Sequence, residues 1–512
     1  MTNTKSKKTI ADDAVVRRLY ARGTWKLKSA AHFGGDETGI ADMCLLRDAK
    51  GNPFIPGASI AGAARSLLAR QRLAWAQYSH KDGTNNEPPE LKRFFGGSEN
   101  RNTVEDSDPM SALIVADAVC VSKEAKTFIR DGVRVDAKSG SAAEGAKFDV
   151  EVLEQGTEFL LNFQCIIRKD DDNVGLTNLF LAMLYGFKKG DIQLGARTRR
   201  GYGKGKVEDW AIYDLNMKEP QDVIAWLQDK PCSRPKSCKL KPRPLQSDRR
   251  NYFRIEADFQ LRISLLIRSA SGDPKDPDMV HLHSNDKPVI PGTSFAGAFR
   301  HRADLIATAI GWEKHEDDAD TVCEMFGPVH KQGEEHDESE NIGLWASRVT
   351  IEERLVENVK PQWQDRVAID RFTGGSLQSA LFNEKPVYPC PMKTTTETNV
   401  RLRLTLEEPD KAEIGLLLLT LRDFWYGHAA LGGETSNGRG TLQGIKAKLI
   451  YKDTPDPSNT KEWKLAHQDK RMMIESDDGF LQCCVDAAQN YTDRPKASRR
   501  PKKNSEEETD AA

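Results

Sequence analysis

Ile55-Pro56-Gly57-Ala58-Ser59-Ile60-Ala61-Gly62-Ala63-Ala64-Arg65 returns as Ile290-Pro291-Gly292-Thr293-Ser294-Phe295-Ala296-Gly297-Ala298-Phe299-Arg300, with Pro, both Gly, Ser and Arg at the same spacing. The echo extends at a nearly constant offset. Leu194-Gly195-Ala196-Arg197-Thr198-Arg199-Arg200-Gly201-Tyr202-Gly203 matches Leu431-Gly432-Gly433-Glu434-Thr435-Ser436-Asn437-Gly438-Arg439-Gly440, and Phe95-Gly96 answers to Phe326-Gly327. A repeat on the order of two hundred residues is a duplicated domain, not a solenoid unit.

The elements around these anchors also repeat. Trp25 and Leu27 suggest a strand from Thr24, and Ile114 to Val121 and Leu344 to Ile351 read as apolar strands. Pro-Gly supplies a tight entry to a helix through Leu67 and Leu68, which Ser59 or its neighbour is placed to cap. Phe159, Leu161 and Phe163 alternate as a strand face, and Leu176 to Phe187 is apolar at helical spacing. In the second half Leu261 to Ile267 reads as a strand and Pro291 to Ile310 as a helix. Val400, Leu402 and Leu404 then form a strand, and Ile414 to Trp425 a helix. Strand, helix, strand, strand, helix, strand on one antiparallel sheet predicts an α+β protein of two tandem ferredoxin-like domains, the arrangement also used by RNA-recognition modules.

The expected organisation is a disordered stretch over 1–13, a first domain over 14–215, and a basic linker over 216–252. A second domain follows over 253–452, then a polar, largely disordered tail over 453–512. At 512 residues, 38% hydrophobic and 30% charged, with a mean hydropathy of −0.61, the composition is that of a water-soluble protein. The longest apolar run, Ile414 to Leu421, is too short to span a bilayer, and the first residues lack an apolar signal core. A cytoplasmic location is expected. Nine cysteines without a Cys-x-x-Cys pair fit reduced thiols, with Cys232 and Cys238 as a weak zinc alternative. The net charge of −2 decides nothing about nucleic acid, but basic residues crowd the glycine loop from Arg197 to Lys206.

The pairing of Ile-Pro-Gly-x-Ser-x-x-Gly-x-x-Arg with a later glycine-rich loop resembles the RAMP superfamily of CRISPR-associated proteins. Gly34-Gly35, Gly39-Ile40-Ala41-Asp42 and Arg47-Asp48 ahead of the motif narrow the resemblance to the backbone subunit of type III effector complexes, here a III-D-like tandem fusion. The resemblance implies guide RNA and complementary target RNA as partners beside other effector subunits, with no membrane. It further implies a loop aspartate that cuts the target, and Mg²⁺ or Mn²⁺ as cofactor. Carried onto this sequence, the aspartate is Asp42 in the first copy and Asp278 in the second, where Asp276 and Asp273 are alternatives; these acids are the only metal ligands assigned. A loop aspartate that merely satisfies turn donors is the competing reading. Arg366-Val367-Ala368-Ile369-Asp370-Arg371-Phe372 resembles the family's thumb hairpin, which Arg134 marks in the first copy; Phe372 is either a wedge or hairpin core.

The same track assigns RNA contacts to Ser59, Arg65, Ser294 and Arg300 at the helix entries, and to Arg197, Arg199, Arg200, Lys204 and Arg439 among the glycines, where a backbone can approach RNA closely; caps or carboxylate pairs inside the domain are the competing reading for Arg65 and Arg300. His32 has no match in the second copy, and His281 and His283 have none in the first, so these histidines are expected to be structural. The rival readings are a non-catalytic guide-binding scaffold and a guide-processing endoribonuclease of the same superfamily. A nucleotide hydrolase is excluded because no Gly-Lys-Ser/Thr follows a strand.

Overall fold

Arg18, Arg22 and Lys26 alternate with Leu19, Ala21, Trp25 and Leu27 along Val15–Leu27, giving a strand (β1) with one basic face and one fully buried apolar face. It begins well before the expected Thr24, because basic residues on the outer face mask the alternation. The computed structural model describes residues 14–35, 41–73, 87–97, 110–135, 142–228, 240–246, 248–271, 276–312, 321–327, 346–391, 398–453, 459–469, 471–475 and 478–491. The expectations for 1–13, for Asp273 and for Cys232 and Cys238 lie outside them. The other described cysteines are free thiols.

The first repeat continues with α1 (Gly57–Leu73), β2 (Leu113–Val115), β3 (Thr127–Val135), β4 (Ala142–Leu153), β5 (Glu158–Arg168), α2 (Asn173–Lys189), β6 (Gly205–Val207) and β7 (Ala211–Asn216). The second runs β8 (Tyr252–Leu261), α3 (Gly292–Ala309), β9 (Val349–Ile351), β10 (Gln364–Ile369), β11 (Ser376–Lys385), β12 (Val400–Glu407), α4 (Lys411–Tyr426) and β13 (Leu442–Lys452). The molecule is therefore a mixed α+β protein of two repeats. In each main sheet the first strand lies between the third and the fourth, all antiparallel. Trp25 faces Phe159 and Ala21 faces Ile212 in one; Phe259 faces Val400 and Ile255 faces Leu449 in the other. The second core strand borders the third, Leu113 against Cys165 and Val349 against Leu406. The expected strand Leu261 to Ile267 is displaced: β8 ends at Leu261, and Ser264, Leu265 and Leu266 form a buried loop, with Leu265 bridging Val387.

The recurring Pro-Gly has a packing cause. A Cβ on Gly57 would fall 2.3 Å from Val115 O, and one on Gly292 2.3 Å from Ile351 O, so each helix entry rests directly on the edge strand. Asp117 Oδ1 accepts the Gly57 N–H at 2.7 Å. Ser59 therefore sits inside α1 and is no cap, and Pro291 takes the N-cap position of α3 without a side-chain bond. The second helices are bounded alike. Asp172 accepts from Val174 and Gly175 before α2, Asp410 and Glu413 form a capping box before α4, and Gly190 and Gly427 end them at φ 78° each.

Two boundary expectations are corrected. Thr460–Gln468 (β14) and Arg471–Glu475 (β15) extend the second sheet beyond β13, and Phe480–Gln489 (α5) packs so closely on α4 that a Cβ on Gly415 would lie 2.1 Å from Cys484 O. Trp463, Leu465, Leu481 and Ala488 are buried; Lys461, Glu462 and Lys464 hid the alternation of the first two. The described part of the connector is likewise built in. Pro220–Leu227 is a short helix, Leu245 is buried, Arg249 N donates to Gln71 O at 2.8 Å, and Lys452 Nζ donates to Asp248 O at 2.8 Å. Among the described residues no helix is long and apolar enough to cross a membrane.

Candidate nucleic-acid interface

Each repeat inserts a hairpin between its second and third core strands, β3–β4 in one and β10–β11 in the other, and the candidate aspartates sit at their bases. Met43 makes a parallel bridge to Val150, donating to Asp149 O at 3.2 Å and accepting from Glu151 N at 2.9 Å. The preceding Asp42 is exposed, and its Oδ2 accepts from Asp149 N at 2.8 Å. In the second repeat Met279 and Val280 run parallel to Glu384 and Lys385, and exposed Asp278 donates its backbone N–H to Asn383 Oδ1 at 2.8 Å. The two Asp-Met pairs thus occupy the same place alongside the returning strand. Asp276 is engaged elsewhere. Hydrogen bonds from Lys385 at 2.9 Å and Ser271 at 2.9 Å hold its carboxyl below the usual range.

Around Asp42 the first hairpin supplies Asp131 and Asp149. Desolvation, then hydrogen bonding to Asp149, pushes the Asp131 carboxyl up. Glu151 ties the loop together: it takes Arg47 Nη2 at 2.5 Å and Leu45 N at 2.9 Å, while its carbonyl meets His32 Nδ1 at 2.7 Å. Arg197 lies across the Phe148 ring at 4.4 Å, with Nη2 3.5 Å from Met43 Sδ, and among the described residues no carboxylate pairs with it. Burial pushes this guanidinium's pKa down, as expected of a cation without a counter-ion. The second repeat reverses that charge. Glu434 stands where Arg197 does, with the same φ of 57°, and pairs with Arg366 at 2.7 Å and Arg439 at 2.7 Å. Among the described residues no three His, Cys, Asp or Glu side chains converge on a metal-sized site.

The tip of the second hairpin is preorganised. Asp370 accepts from Phe372 N at 2.9 Å and Thr373 Oγ1 at 2.8 Å, an Asx turn that leaves Phe372 fully (100%) exposed. Phe372 is therefore not hairpin core. Arg371 is exposed beside it, and Val367, Ile369 and Leu381 add apolar surface. Arg134 lies in β3 with its side chain outside the described residues.

Several predicted contacts are spent inside the protein. Arg65 forks onto Glu87, and Arg300 donates to Gly327 O at 2.9 Å and Cys323 Sγ at 3.0 Å. Arg439 is buried between Glu434 and Glu384, Arg199 donates to Thr350 Oγ1 at 3.0 Å, and Lys204 Nζ is 2.5 Å from Glu352. Ser59 is exposed in the first turn of α1 and Ser294 half-buried in that of α3; Arg200 is exposed at the loop. The loop glycines serve the fold: at φ 67° and 71°, a Cβ on Gly203 or Gly440 would lie 1.7 Å from Leu194 O or 1.8 Å from Leu431 O. His32 and His281 are buried, as expected of structural histidines. Sequence reading missed Glu151 and the cross-repeat pair Arg130–Glu353, which no local spacing marks.

The RAMP superfamily model matches residues 24–207 and 259–443, one match per repeat. The CRISPR system Cms endoribonuclease Csm3 of Methanocaldococcus jannaschii is 28% identical over 208 residues, covering 38% of this chain and 79% of that protein.

Proposed function

The chain belongs to the RAMP superfamily, in two tandem copies, and from that premise we propose that it is a cytoplasmic type III CRISPR effector subunit that lies along a guide RNA and cuts the paired target RNA. The strand order of each repeat supports a ferredoxin-like reading of both domains. The observation that carries the proposal is the repeated placement of Asp42-Met43 and Asp278-Met279 alongside the returning strand of the inserted hairpin. A purely scaffolding role assigns no function to an exposed acid at the same place in both copies.

RNA carries its own nucleophile. Cleavage needs the 2′-oxygen in line with phosphorus and a base for its proton. An exposed carboxylate fixed by a backbone N–H, as Asp42 is, orients or deprotonates the 2′-hydroxyl. The P–O5′ bond then breaks, leaving a 2′,3′-cyclic phosphate and a 5′-hydroxyl that takes its proton from water. Phe372 is placed to wedge between nucleotides and break the A-form geometry that holds the 2′-oxygen out of line. Mg²⁺ or Mn²⁺ would have to draw most of its ligands from RNA phosphates, and no step above depends on it. The guide-processing alternative leans on histidine chemistry, which buried His32 and His281 do not offer.

End-labelled target RNA, incubated with the guide-loaded complex and divalent metal, tests this directly. Asp42→Ala and Asp278→Ala should each remove one distinct product with guide binding retained, by at least ~100-fold for loss of a general base. An unchanged product pattern in the double variant would reduce the chain to a scaffold.

A further inference from the structure

Four cations of the first repeat cross to the second. Arg70 Nη1 lies 2.6 Å and Arg199 Nη1 3.2 Å from Glu407 Oε1, Lys204 Nζ lies 2.5 Å from Glu352 Oε1, and Arg130 pairs with Glu353, whose Oε1 also accepts from Ala30 N at 3.1 Å. Backbones meet as closely: a Cβ on Gly292 would fall 2.3 Å from Arg200 O, and one on Gly201 2.4 Å from Glu353 N. The rear of the first repeat, its glycine loop and hairpin base, is seated on the front of the second, its helix entry and edge strand.

Because the repeats superpose by strand register, each partner has a counterpart on an outer face. Leu113 facing Cys165 and Val349 facing Leu406 make Ile114, Ala116, Asp117 and Ile166 the counterparts of Thr350, Glu352, Glu353 and Glu407. On the rear, the helix and loop spacing and the parallel bridges of Met43 and Met279 make Leu305, Gln364, Ser436 and Thr441 the counterparts of Arg70, Arg130, Arg199 and Lys204. All four cations are gone from the outer rear face. One acid of three survives on the outer front face, and Asp117 is turned onto the Gly57 N–H. Among the described residues the Cβ direction of Gly438, counterpart of Gly201, meets only Ile263 Cδ1, at 3.7 Å.

Desolvating a charge without its partner is strongly disfavoured, so such a pattern discriminates as well as binds. The basic rear of the first repeat would strand its cations on any surface like its own front. The acidic front of the second would strand its carboxylates on any surface like its own rear. We propose that the joint between the repeats is an electrostatic address written once per chain: it pairs the first repeat's rear with the second repeat's front, and the outer faces, which lack the matching set of charges, do not stack on a second copy.

Sedimentation velocity of the full chain across the micromolar range tests this without reference to RNA cleavage. Wild type should sediment as a single species of 57.2 kDa. One variant restores the acids at the outer front (Ala116→Glu, Asp117→Glu, Ile166→Glu), and a second restores the cations at the outer rear (Leu305→Arg, Ser436→Arg, Thr441→Lys). Each alone should stay monomeric, and their mixture should form a one-to-one dimer that salt dissolves. A monomeric mixture of two variants that melt as cooperatively as wild type would overturn the proposal. So would wild-type self-association that Leu305→Glu disperses.

Discussion

Arg197 shows how much a single position can carry. Its left-handed backbone, its stacking on Phe148 and its approach to Met43 hold a guanidinium with which no described carboxylate pairs. On the proposed reading such a cation takes an anion, and a phosphate is the anion the proposed substrate offers. Arg197→Ala should lower RNA affinity uniformly across sequences and flatten the dependence of log K on log salt by ~0.7, the share of one single-strand phosphate that the protein no longer neutralises. Folding stability should fall by no more than ~1 kcal/mol, the cation–π contribution at a partly exposed ring. Filter binding over a salt series together with urea melts separates the two. The same measurements on Glu434→Ala should show no comparable loss of affinity, since that position is acidic and already paired with Arg366 and Arg439. A common effect of both variants would instead point to loop structure as the source.

At the scale of elements, the glycines divide by what surrounds them. Gly203 and Gly440 combine positive φ with a carbonyl in the space of a Cβ, so Ala at either should cost on the order of 3 kcal/mol or more and lower the melting temperature sharply. Gly62 and Gly297 are helical, with nothing within 4 Å of a Cβ, and Ala there should stabilise by up to ~1 kcal/mol. Thermal melts of Gly203→Ala and Gly62→Ala should therefore move in opposite directions. The Ile-Pro-Gly motifs, the two central helices and the glycine loops were legible because their causes are local or repeated: a tight entry, an apolar stripe, a turn. The basic faces of β1 and β14 obscured their alternation, and the tail looked disordered because Trp463 and Leu465 were diluted by charge. Local spacing did not decide between an RNA contact and an internal partner for Arg65 and Arg300, and gave no sign of the burial of Arg439. Whether an arginine faces RNA or a carboxylate depends on residues such as Glu87 and Glu384, whose proximity only the fold creates.

For the whole molecule, acid should act in two separate windows. His281 is buried in the second repeat, where its Nδ1 accepts from Ile267 N at 3.2 Å and its Nε2–H donates to Val289 O at 3.1 Å; burial, then the charge of His283, lowers its pKa to about 3. The unfolded chain binds a proton at this residue below ~6.5 while the folded chain does not. Stability contributed by neutral His281 is thus present above that pH and declines as pH falls toward 3, by up to ~1.4 kcal/mol per unit. The joint responds later. Burial alone would raise Glu352 and Glu407, but Lys204, Arg354 and Arg403 around the first and Arg70 and Arg199 around the second hold both below the usual range. Their contribution is complete above the unfolded glutamate value of ~4.3 and is lost only as pH falls through the lower folded values. Between pH ~6.5 and ~4.5 the second repeat should therefore weaken while the repeats stay joined. Urea melts across that range should show a falling midpoint in wild type and a flatter profile, from a lower neutral starting point, in His281→Gln. A profile equally steep in the variant would place the acid sensitivity in other groups.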